Sequence, residues 1–578
     1  MVITKRKAIA RLGAAAVAAA LAAPLMTAVA TSTASAAKSP AVVSFPRAET
    51  LYTSGTMYSP PTSWNPFNPG NNYTGTQGLV YEPLFRYDPL HGKYIPWLAT
   101  SGTWTNATTY VIQVRNGVTW SNGSPLTGAD VAYSINLAEN PAIPYSALVS
   151  EGLIGATASG NTVTVTFKSP APYVAWQTYL WNWDIVPQAI WSKVPAKDDV
   201  TVANTNPVGS GPLLLVKSSI TSTQACYQFN TNWWAIKQLG LSFHFKYLCD
   251  SVNASNNVEL SAIMSNDIDW SNNFLPGINT LITIGGNNFI TTYYPSNPYM
   301  LSANTAWIEL NTSKAPMSNV NFRKAVAYAI DPQQVVTGVY TGIVEAANPT
   351  GLMPNLASFI NQGIVKQYGF SYNPAKAKAF LKASGYAGQK LTLEVPDGWT
   401  DWMAAIQVIA SDLNAVGINV VPTYPSYNTR TLDLENGTFD MAIDNNATID
   451  ASPYSYFDRV YQLPLTKPDL SQLNWERYTS PADWALVEKA ATTPLSDTAA
   501  LDSIYGSLEK DFLQALPEIP LWYNGAWFQA NTTYWKDYPT STVPSLQNTP
   551  VLWRGTWGGM TIPEALAALQ PVPPAKKS

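Results

Sequence analysis

The sequence predicts an α/β protein with an additional β-rich region, and three stretches of the chain support this. Residues 307–342 read as a short strand (WIEL), a polar turn and two successive helices. Residues 391–423 alternate strand, helix and strand, which predicts a βαβ unit with parallel strands and a right-handed crossover. Residues 94–168 contain short alternating apolar runs typical of strands. Pattern alone therefore predicts an ordinary α/β arrangement.

Capping residues mark the helix boundaries in these stretches. Asp331 followed by Pro332 predicts a new helix, because an acidic cap accepts a backbone N–H and proline is tolerated at the first helical position. Asn373 and Pro374 repeat the same signal further along the chain, and Gly385 predicts the end of that helix.

The first 36 residues have the composition of a secretory signal peptide. A basic start is followed by an Ala/Leu/Val-rich segment and by the small-x-small sequence Ala34-Ser35-Ala36, so the mature chain is expected to begin near Ala37. A membrane anchor is the alternative, but the apolar segment is short and rich in alanine. The residue immediately after the predicted cleavage site is Ala37 and not a cysteine, so we expect a secreted or surface-held protein without a lipid anchor.

Charge and composition narrow the possible partners. Removing the predicted signal peptide takes away four basic and no acidic residues, which changes the formal net charge from −4 to −8. An acidic chain without a Lys/Arg cluster repels phosphate, so no nucleic-acid partner is expected. Charged residues make up 12% of the chain and aromatic residues also 12%, a balance that suits recognition of an uncharged, ring-shaped ligand.

Cysteine and histidine usage predicts a disulfide and no metal or cofactor. Cys226 and Cys249 both lie in the exported part, where an isolated pair is expected to be bonded. The chain has two histidines, His91 and His244, which are too few to make a zinc site or a Ser-His-Asp triad a favoured prediction.

Several motifs, in the same order along the chain, resemble the family 5 extracellular solute-binding proteins, which are the peptide, nickel and oligosaccharide receptors of ABC importers. The central one is LN, a proline, RKAVAYAID and VYTG within residues 307–342. The others are YEPLF (81–85), VRNGVTWSNGSPLTGADV (114–131), NPVGSGP (206–212) and YNPAKAKAFLKASGY (372–386). The resemblance extends from about residue 49 to residue 539, and its strength lies in the ordered set.

The resemblance implies a two-lobed periplasmic-binding-protein-like fold (type II, cluster C) with an extra β-rich subdomain in the first lobe. Its expected ranges are 37–77, 201–303 and 523–562 for the main part of lobe 1, 78–200 for the subdomain, 304–522 for lobe 2 and 563–578 for a flexible tail. It also implies a monomeric receptor, not an enzyme, that closes around a solute and delivers it to a membrane permease.

The cleft motifs resemble the oligosaccharide-binding branch more than the peptide-binding one. In the family's peptide receptors, an Asp that follows the "yDm" strand holds the amino terminus of the peptide. Here residues 439–443 predict the strand, and the sequence from residue 444 onwards predicts a loop. In this loop Asn446 replaces the tryptophan of that segment, and Asp450 lies one residue beyond the position of the acid. The segment DWSNNFLPG (269–277) and an Asn-Asn pair resemble the sugar binders, which predicts a β-linked gluco- or manno-oligosaccharide. An oligopeptide is the alternative.

The candidate ligand contacts are amides, which offer both a donor and an acceptor to hydroxyls, and aromatic rings, which stack on the apolar face of a sugar. The amides are Asn65, Asn272, Asn273, Asn445 and Asn446, and the rings are Trp64, Phe274, Trp399, Trp402, Trp522 and Tyr523. Each has a structural alternative, because asparagines at strand ends also form turns and Trp522 follows an apolar strand that could be core.

A secreted glycoside hydrolase is a further alternative, because aromatic-rich exported proteins often cleave sugars. Hydrolysis needs two carboxyl groups placed across one bond. Glu309, Glu394 and Asp397 are available, but none of them lies in a recognisable catalytic motif. The sequence therefore favours binding over catalysis.

Overall fold

The computed structural model describes residues 45–55, 57, 59–68, 78–88, 93–182, 184–284, 289–448, 450–465, 474–542 and 562–573. The predicted signal peptide lies outside the described residues. Within the described ranges, no helix combines the length and the apolar character that crossing a membrane requires. The mixture of helices and sheets confirms the predicted α/β class.

The helices and strands have the following bounds in chain order. The strands are β1 Thr50–Ser54, β2 Phe85–Asp88, β3 Lys93–Pro96, β4 Ala99–Asn106, β5 Thr109–Val114, β6 Leu153–Ser159, β7 Thr162–Phe167, β8 Leu213–Leu215, β9 Gln224–Phe229, β10 Tyr247–Ser251, β11 Trp270–Ser271, β12 Ile290–Thr292, β13 Leu301–Leu310, β14 Glu345–Ala346, β15 Leu391–Glu394, β16 Val420–Thr423, β17 Met441–Thr448, β18 Glu518–Ala526, β19 Gln529–Asn531, β20 Trp535–Lys536 and β21 Gln570–Pro571. The helices are α1 Gly128–Asn136, α2 Ala147–Ser150, α3 Tyr173–Asn182, α4 Gln188–Trp191, α5 Trp234–Leu239, α6 Asn256–Met264, α7 Ile278–Ile284, α8 Val320–Ala329, α9 Pro332–Gly338, α10 Gln362–Tyr368, α11 Pro374–Ser384, α12 Thr400–Val416, α13 Tyr427–Asn436, α14 Tyr454–Tyr461, α15 Pro481–Ala491, α16 Thr498–Ala515 and α17 Ile562–Ala568.

Lobe 1 is built on a seven-stranded sheet with the spatial order β12-β19-β11-β1-β10-β9-β8. Strand β1 is parallel to both β10 and β11, whereas β19 is antiparallel to β11 and β12. The carboxyl ends of β1 and β11 therefore meet at the same edge of the sheet, where α/β proteins tend to place ligand contacts.

The predicted disulfide is present in this sheet. Cys226 on β9 and Cys249 on β10 are directly opposite each other in the antiparallel register, with their Cα atoms 4.0 Å apart. Both residues are buried. The bond therefore crosslinks two neighbouring strands of lobe 1.

A four-stranded antiparallel sheet, β4-β5-β7-β6, forms the β-rich subdomain within residues 78–200. The alternating pattern of β7 buries Val163, Val165 and Phe167, whereas Thr164 is half-buried and Thr166 is exposed. Helix α1 contacts β6 and β7, and it begins with a capping box between Thr127 and Asp130.

Lobe 2 contains a six-stranded sheet with the order β14-β18-β13-β17-β15-β16. Strands β15 and β16 are parallel and are joined by α12, which confirms the predicted βαβ unit. The cap predictions also hold, because Asp331 and Asn373 accept hydrogen bonds from the backbone N–H groups of Gln333 and Lys376. Gly385 ends α11 in the left-handed conformation, at φ 71°.

The chain crosses between the two lobes at β13 and β18. Strand β13 is antiparallel to β17 and β18, and its first residue, Leu301, is opposite Ala526 at the end of β18. Three residues after Ala526 the chain enters β19, which belongs to the sheet of lobe 1. Because β13 and β18 extend past the predicted boundaries at 304 and 522, the lobe limits from the sequence remain a proposal.

Two segments differ from the sequence predictions. Strand β17 continues to Thr448 rather than ending near Ile443, because β13 supplies backbone partners as far as Asn304. The asparagine pair therefore lies within a strand and not on the loop that follows. Residues 563–573 were expected to belong to a flexible tail, yet α17 buries Leu566, and β21 pairs with β20. Apolar side chains on α17 account for this docking.

Candidate functional site

A pocket with an empty volume of about 540 Å³, counting space open to solvent, lies where the two lobes meet the crossing strands. It is lined by Asn256, Asn272, Asn273, Phe274, Ala303, Trp399, Asp401, Trp402, Asn445, Asn524, Gly525, Ala526 and Trp527. These residues come from both lobes and from the strands that connect them. A solute held here would touch both lobes.

The lobe 1 wall consists of Asn272, Asn273 and Phe274, directly after β11. The backbone N–H of Asn272 donates to the carbonyl of Ser54 over 2.9 Å, and its side-chain amide donates to the carbonyl of Trp527 over 2.8 Å. Gly55 has a φ of +89°, and a Cβ atom there would lie 2.5 Å from the backbone of Asn272. Glycine at this position therefore permits β1 and the asparagine wall to approach each other.

Glu259, a fully buried residue of α6, fixes this wall from beneath. Its carboxylate accepts hydrogen bonds from the amide of Asn273 at 2.5 Å, from the hydroxyl of Ser54 at 2.8 Å and from the hydroxyl of Ser271. Burial is the largest cause of the raised pKa of Glu259, and these donors oppose it. The orientation of Asn273 is thus determined by groups outside the pocket.

The lobe 2 wall is aromatic. Trp399 is the N-cap residue of α12, and Trp402 lies in the first turn of that helix rather than on the preceding loop. Their rings meet edge to face with centroids 4.8 Å apart, and Trp399 also stacks on Tyr427 at 5.8 Å. Trp402 is almost fully buried, whereas Trp399 is partly exposed. Trp399 therefore offers the more accessible ring.

The crossing strands form the floor of the pocket. Trp527 stacks on Tyr340 with an interplanar angle of 15° and meets Phe274 edge to face at 5.1 Å. Asn524 is 4% exposed, and its Oδ1 atom accepts no hydrogen bond from any described residue. A buried acceptor of this kind needs a partner, so a donor on a ligand would satisfy it.

Asp401 is the single charged residue among the described residues that line the pocket. Its Oδ2 accepts from the hydroxyl of Tyr340 at 3.0 Å, and its Oδ1 accepts from the amide of Asn256 at 3.2 Å. Burial raises the pKa of Asp401 to about 6, and these hydrogen bonds limit the shift. Asn256 belongs to α6 of lobe 1 and Asp401 to α12 of lobe 2, so their hydrogen bond bridges the cleft.

The loop before α12 is in close contact with lobe 1. The backbone N–H of Asn256 donates to the carbonyl of Gly398 over 3.4 Å. Gly398 has a φ of +86°, and a Cβ atom there would lie 2.7 Å from the carbonyl oxygen of Ala254. Only glycine allows this approach, so the contact depends on both the left-handed backbone and the missing side chain.

Six of the eleven ligand contacts predicted from the sequence line this pocket. They are Asn272, Asn273, Phe274, Trp399, Trp402 and Asn445. The side chain of Asn446, a residue of β17, lies outside the described part of the structure. The structure thus brings together residues that are up to 173 positions apart, from Asn272 to Asn445.

Trp64 and Asn65 are placed in the interior of lobe 1 and not at the pocket. The indole N–H of Trp64 donates to the hydroxyl of Tyr227 over 2.8 Å. The amide of Asn65 donates to the carbonyls of Asp199 and Val202, and its oxygen accepts from the N–H of Phe67. Their polar groups hold a buried loop together.

Trp522 and Tyr523 also lie away from the pocket lining. Trp522 is fully buried beside Tyr340, with ring centroids 5.5 Å apart. The hydroxyl of Tyr523 donates to the carbonyl of Leu352 and accepts from the N–H of Asn348. Both residues pack inside lobe 2, one or two positions before the pocket residue Asn524.

Four pocket residues with a chemical function were missed by the sequence analysis: Asn256, Asp401, Asn524 and Trp527. Asp401 lies between Trp399 and Trp402, both of which were predicted ligand contacts, so its position in the sequence could have indicated a place in the pocket. Asn256 follows the N-cap residue Ser255, so its type suggested only a helix start. Trp527 and Asn524 gave no signal beyond their residue type.

The carboxyl groups considered for other functions are not in the pocket lining. Asp450, the acid nearest to the peptide-anchor position, is 3% exposed and accepts hydrogen bonds from the backbone of Ala451 and the hydroxyl of Ser455. Glu309, Glu394 and Asp397, the catalytic candidates, also lie elsewhere. No pair of carboxyl groups among the described lining residues flanks the pocket as hydrolysis would need.

Two lobes joined by crossing strands, with a polar and aromatic pocket between them, define a solute-binding protein of the two-lobed type. The model of the bacterial extracellular solute-binding proteins, family 5, matches residues 93–464. The chain belongs to this family, so it is a binding receptor of an ABC importer and not an enzyme. The relatives below are periplasmic binding proteins, in accord with export.

Three relatives illustrate the similarity. The periplasmic oligopeptide-binding protein of Thermotoga maritima, in a crystal structure with bound mannohexaose, is 38% identical, with a TM-score of 0.87 over 92% of this chain and 100% of that one. The nickel-binding periplasmic protein of Escherichia coli is 26% identical over 62% of this chain and 69% of its own length. The periplasmic oligopeptide-binding protein OppA of Escherichia coli is 24% identical over 77% and 81%. The predicted two-lobed fold and family are confirmed.

Proposed function

We propose that the solute is a neutral oligosaccharide, of the β-linked gluco- or manno- type, which this receptor binds as a monomer and delivers to its membrane permease. The sugar would lie in the pocket between the lobes and contact both of them. Closure of the lobes around it would be stabilised by contacts that form only in the closed state.

The chemistry of the lining carries the proposal. Five of the lining side chains are asparagine amides, at positions 256, 272, 273, 445 and 524, and four are aromatic rings, at positions 274, 399, 402 and 527. An amide can donate to one sugar hydroxyl and accept from another, and a ring can stack on the apolar face of a pyranose. Few other ligand classes need both kinds of group in similar number.

The electrostatics also support a neutral solute. No lysine or arginine is among the described lining residues, and Asp401 already accepts hydrogen bonds from Tyr340 and Asn256. A peptide with free termini brings two charges, and burying either without a counter-charge costs several kcal/mol. Asp450, which could pair with an amino terminus, is engaged with its own loop.

The similarity to the Thermotoga maritima protein supports a sugar as well, because that protein was crystallised with mannohexaose. At 38% identity over its whole length, it is a closer guide to the ligand than relatives matched at 22–26%. Its own name is oligopeptide-binding protein, however, and OppA of Escherichia coli carries the same description. An oligopeptide is therefore the second candidate.

Calorimetry separates the two candidates. The mature protein is first freed of copurified ligand by partial unfolding and refolding, and is then titrated with mannohexaose, cellopentaose and a free pentapeptide. We expect saturable binding of at least one sugar and none of the pentapeptide. Binding of the pentapeptide with no response to either sugar would overturn the proposal. Mass spectrometry of the copurified molecule gives an independent check of ligand class.

A further inference from the structure

A group of three buried carboxylates lies inside lobe 2, separate from the residues that line the pocket. Glu309 is on β13, Glu518 is the first residue of β18, and Glu476 precedes α15. Their exposed fractions are 0%, 0% and 1%. One carboxylate oxygen from each residue lies within 4.8 Å of the corresponding oxygens of the other two. We refer to these three residues as the carboxylate cluster.

The backbone holds the carboxylate cluster in place. Glu309 and Glu518 are directly opposite each other in the antiparallel register of β13 and β18. The carbonyl of Glu476 accepts hydrogen bonds from both the N–H and the hydroxyl of Thr312, two residues beyond β13. Like charges opposite each other in a sheet destabilise it, so this arrangement needs something that neutralises it.

Five of the six oxygens in the carboxylate cluster are buried and have no hydrogen-bond donor among the described residues outside the cluster, although Glu309 and Glu476 are close enough to share a proton. They are Oε2 of Glu309 and both oxygens of Glu476 and Glu518. The sixth, Oε1 of Glu309, accepts from the indole N–H of Trp307 at 2.9 Å. Burying a carboxylate that has no hydrogen-bond donor costs free energy. These oxygens therefore need either a bound cation or bound protons to neutralise their charge.

The neighbouring arginines do not supply enough positive charge. Arg459 lies 3.7 Å from Glu309 and 3.9 Å from Asp444, and Arg430 lies 3.2 Å from Asp444. Within 4 Å, these two guanidinium groups therefore face the carboxylates of Glu309 and Asp444. Arg477 interacts with Glu476 and Glu309 only electrostatically, since its guanidinium donates to the backbone carbonyls of residues 434, 435 and 475. No ion pair among the described residues reaches Glu476 or Glu518.

We propose that the carboxylate cluster binds a calcium ion. Calcium–oxygen distances in proteins are about 2.3–2.6 Å, so three oxygens can contact one ion when they lie within about 4.5 Å of one another, close to the 4.8 Å limit that the carboxylate cluster meets. Calcium accepts six to eight oxygens in flexible geometry and takes carboxylates in bidentate fashion, which five unbonded oxygens on three residues can provide. Magnesium fits less well, because it demands a near-ideal octahedron and keeps several waters.

The ion would join three segments of lobe 2 that are far apart in the chain. Strands β13 and β18 are also the two strands that lead to the pocket, through Ala303 and Asn524. Calcium would therefore stabilise the connection on which the cleft is built. This inference concerns the stability of lobe 2 and does not depend on the identity of the solute.

Metal analysis and thermal unfolding of the full mature chain test the proposal. The protein is treated with a chelator, and the melting temperature is measured at pH 7.5 with and without calcium chloride. Bound metal is counted by plasma mass spectrometry after gel filtration. We expect one calcium per chain and a rise in melting temperature of about 3 °C when free calcium exceeds the dissociation constant about 100-fold. The same concentration of magnesium should give a much smaller rise.

Glu518→Gln is the test variant and Glu82→Gln its matched control. Glu82 is also fully buried, but its carboxylate accepts from the indole N–H groups of Trp97, Trp233 and Trp234. We expect Glu518→Gln to lose the bound calcium and the thermal response, and Glu82→Gln to keep both. If Glu518→Gln does not fold, Glu476→Gln takes its place, and the metal content of the wild-type chain is decisive in either case.

Two results would overturn the proposal. The first is a wild-type chain without bound calcium whose melting temperature ignores calcium and rises as the pH is lowered, because shared protons would then neutralise the carboxylates. The second is a calcium response that survives in the Glu518→Gln variant, because the ion would then bind at another place.

Discussion

The two walls of the pocket use different chemistry and are supported in different ways. On lobe 1, Asn272 and Asn273 are held from beneath by hydrogen bonds, with Glu259 accepting from the amide of Asn273. On lobe 2, Trp399 and Trp402 are held by aromatic packing, and Trp399 remains partly exposed. The lobe 1 wall presents two amides fixed by hydrogen bonds, whereas the lobe 2 wall presents the partly exposed ring of Trp399.

This difference indicates a division of tasks between the lobes. Fixed amides select hydroxyl positions with little loss of side-chain entropy on binding. Rings contribute mainly through the area that they bury, so they act fully only when the lobes have closed. We expect lobe 1 to determine selectivity and lobe 2 to supply most of the affinity, with Asp401 coupling the two through Asn256.

The largest effect is expected from Trp399→Ala. Removing an accessible stacking ring should weaken sugar binding by about 30-fold, or roughly 2 kcal/mol, as measured by calorimetry. Trp104→Ala is the control, because Trp104 is also partly buried but packs on Tyr110 and Tyr173 in the β-rich subdomain. An equal loss of affinity in both variants would show that the lobe 2 wall has no special function.

A medium effect is expected from pH through Asp401. Burial between the lobes raises the pKa of Asp401 to about 6, above the ordinary value of 3.8. Asp401 therefore binds a proton more tightly when the lobes enclose it than when they are open. Closure is favoured at pH values below about 6 and loses this advantage as the pH rises through 6. Affinity should fall by about tenfold between pH 4.5 and pH 7, as measured by titration at each pH.

Asp401→Asn provides the control for this pH dependence. The amide imitates the neutral carboxyl group in size and cannot titrate, so the affinity of this variant should be nearly constant between pH 4.5 and pH 7. Tyr340, the other titratable group in contact, has a pKa raised well above 10 by burial and stays neutral throughout. A slope that persists in Asp401→Asn would assign the pH dependence to another group.

The smallest effect is expected from the lobe 1 wall. Asn273→Ala should weaken binding about fivefold, or roughly 1 kcal/mol, because a single hydrogen-bonding group is lost. It should also relax the selectivity between manno- and gluco-oligosaccharides. Asn257→Ala, at an exposed position of α6, should change neither quantity. If Asn273→Ala lowers the affinity for all sugars equally, the proposed selecting function of this wall is refuted.

Local signals in the sequence predicted much of the fold. The caps at Asp331 and Asn373 and the βαβ unit around α12 were all recognisable, because they depend on neighbouring residues. The end of β17 was misplaced because its extension depends on pairing with β13, more than a hundred residues earlier. The docking of α17 was also missed, because its composition resembles that of a mobile tail.

The site was predicted less completely, and β18 shows the reason. Trp522, Tyr523 and Asn524 are consecutive, yet only Asn524 lines the pocket. Side chains alternate between the two faces of a strand, which separates Tyr523 from Asn524, whereas Trp522 shares the face of Asn524 and is buried beside Tyr340. Residue type favoured the two aromatic residues, whereas the packing of lobe 2 buries them. Trp64 and Asn65 lie on a buried loop of lobe 1, away from the pocket lining.

The sequence by itself determined the family, the α/β class, the disulfide and six residues of the pocket, because ordered motifs, caps and strand ends are local properties of the chain. Only the tertiary structure decided that Asp401 meets Asn256 across the cleft and that Glu309, Glu476 and Glu518 converge in lobe 2. These residues are separated by 42 to 209 positions, and their meeting depends on sheet order and lobe packing, which no local pattern encodes.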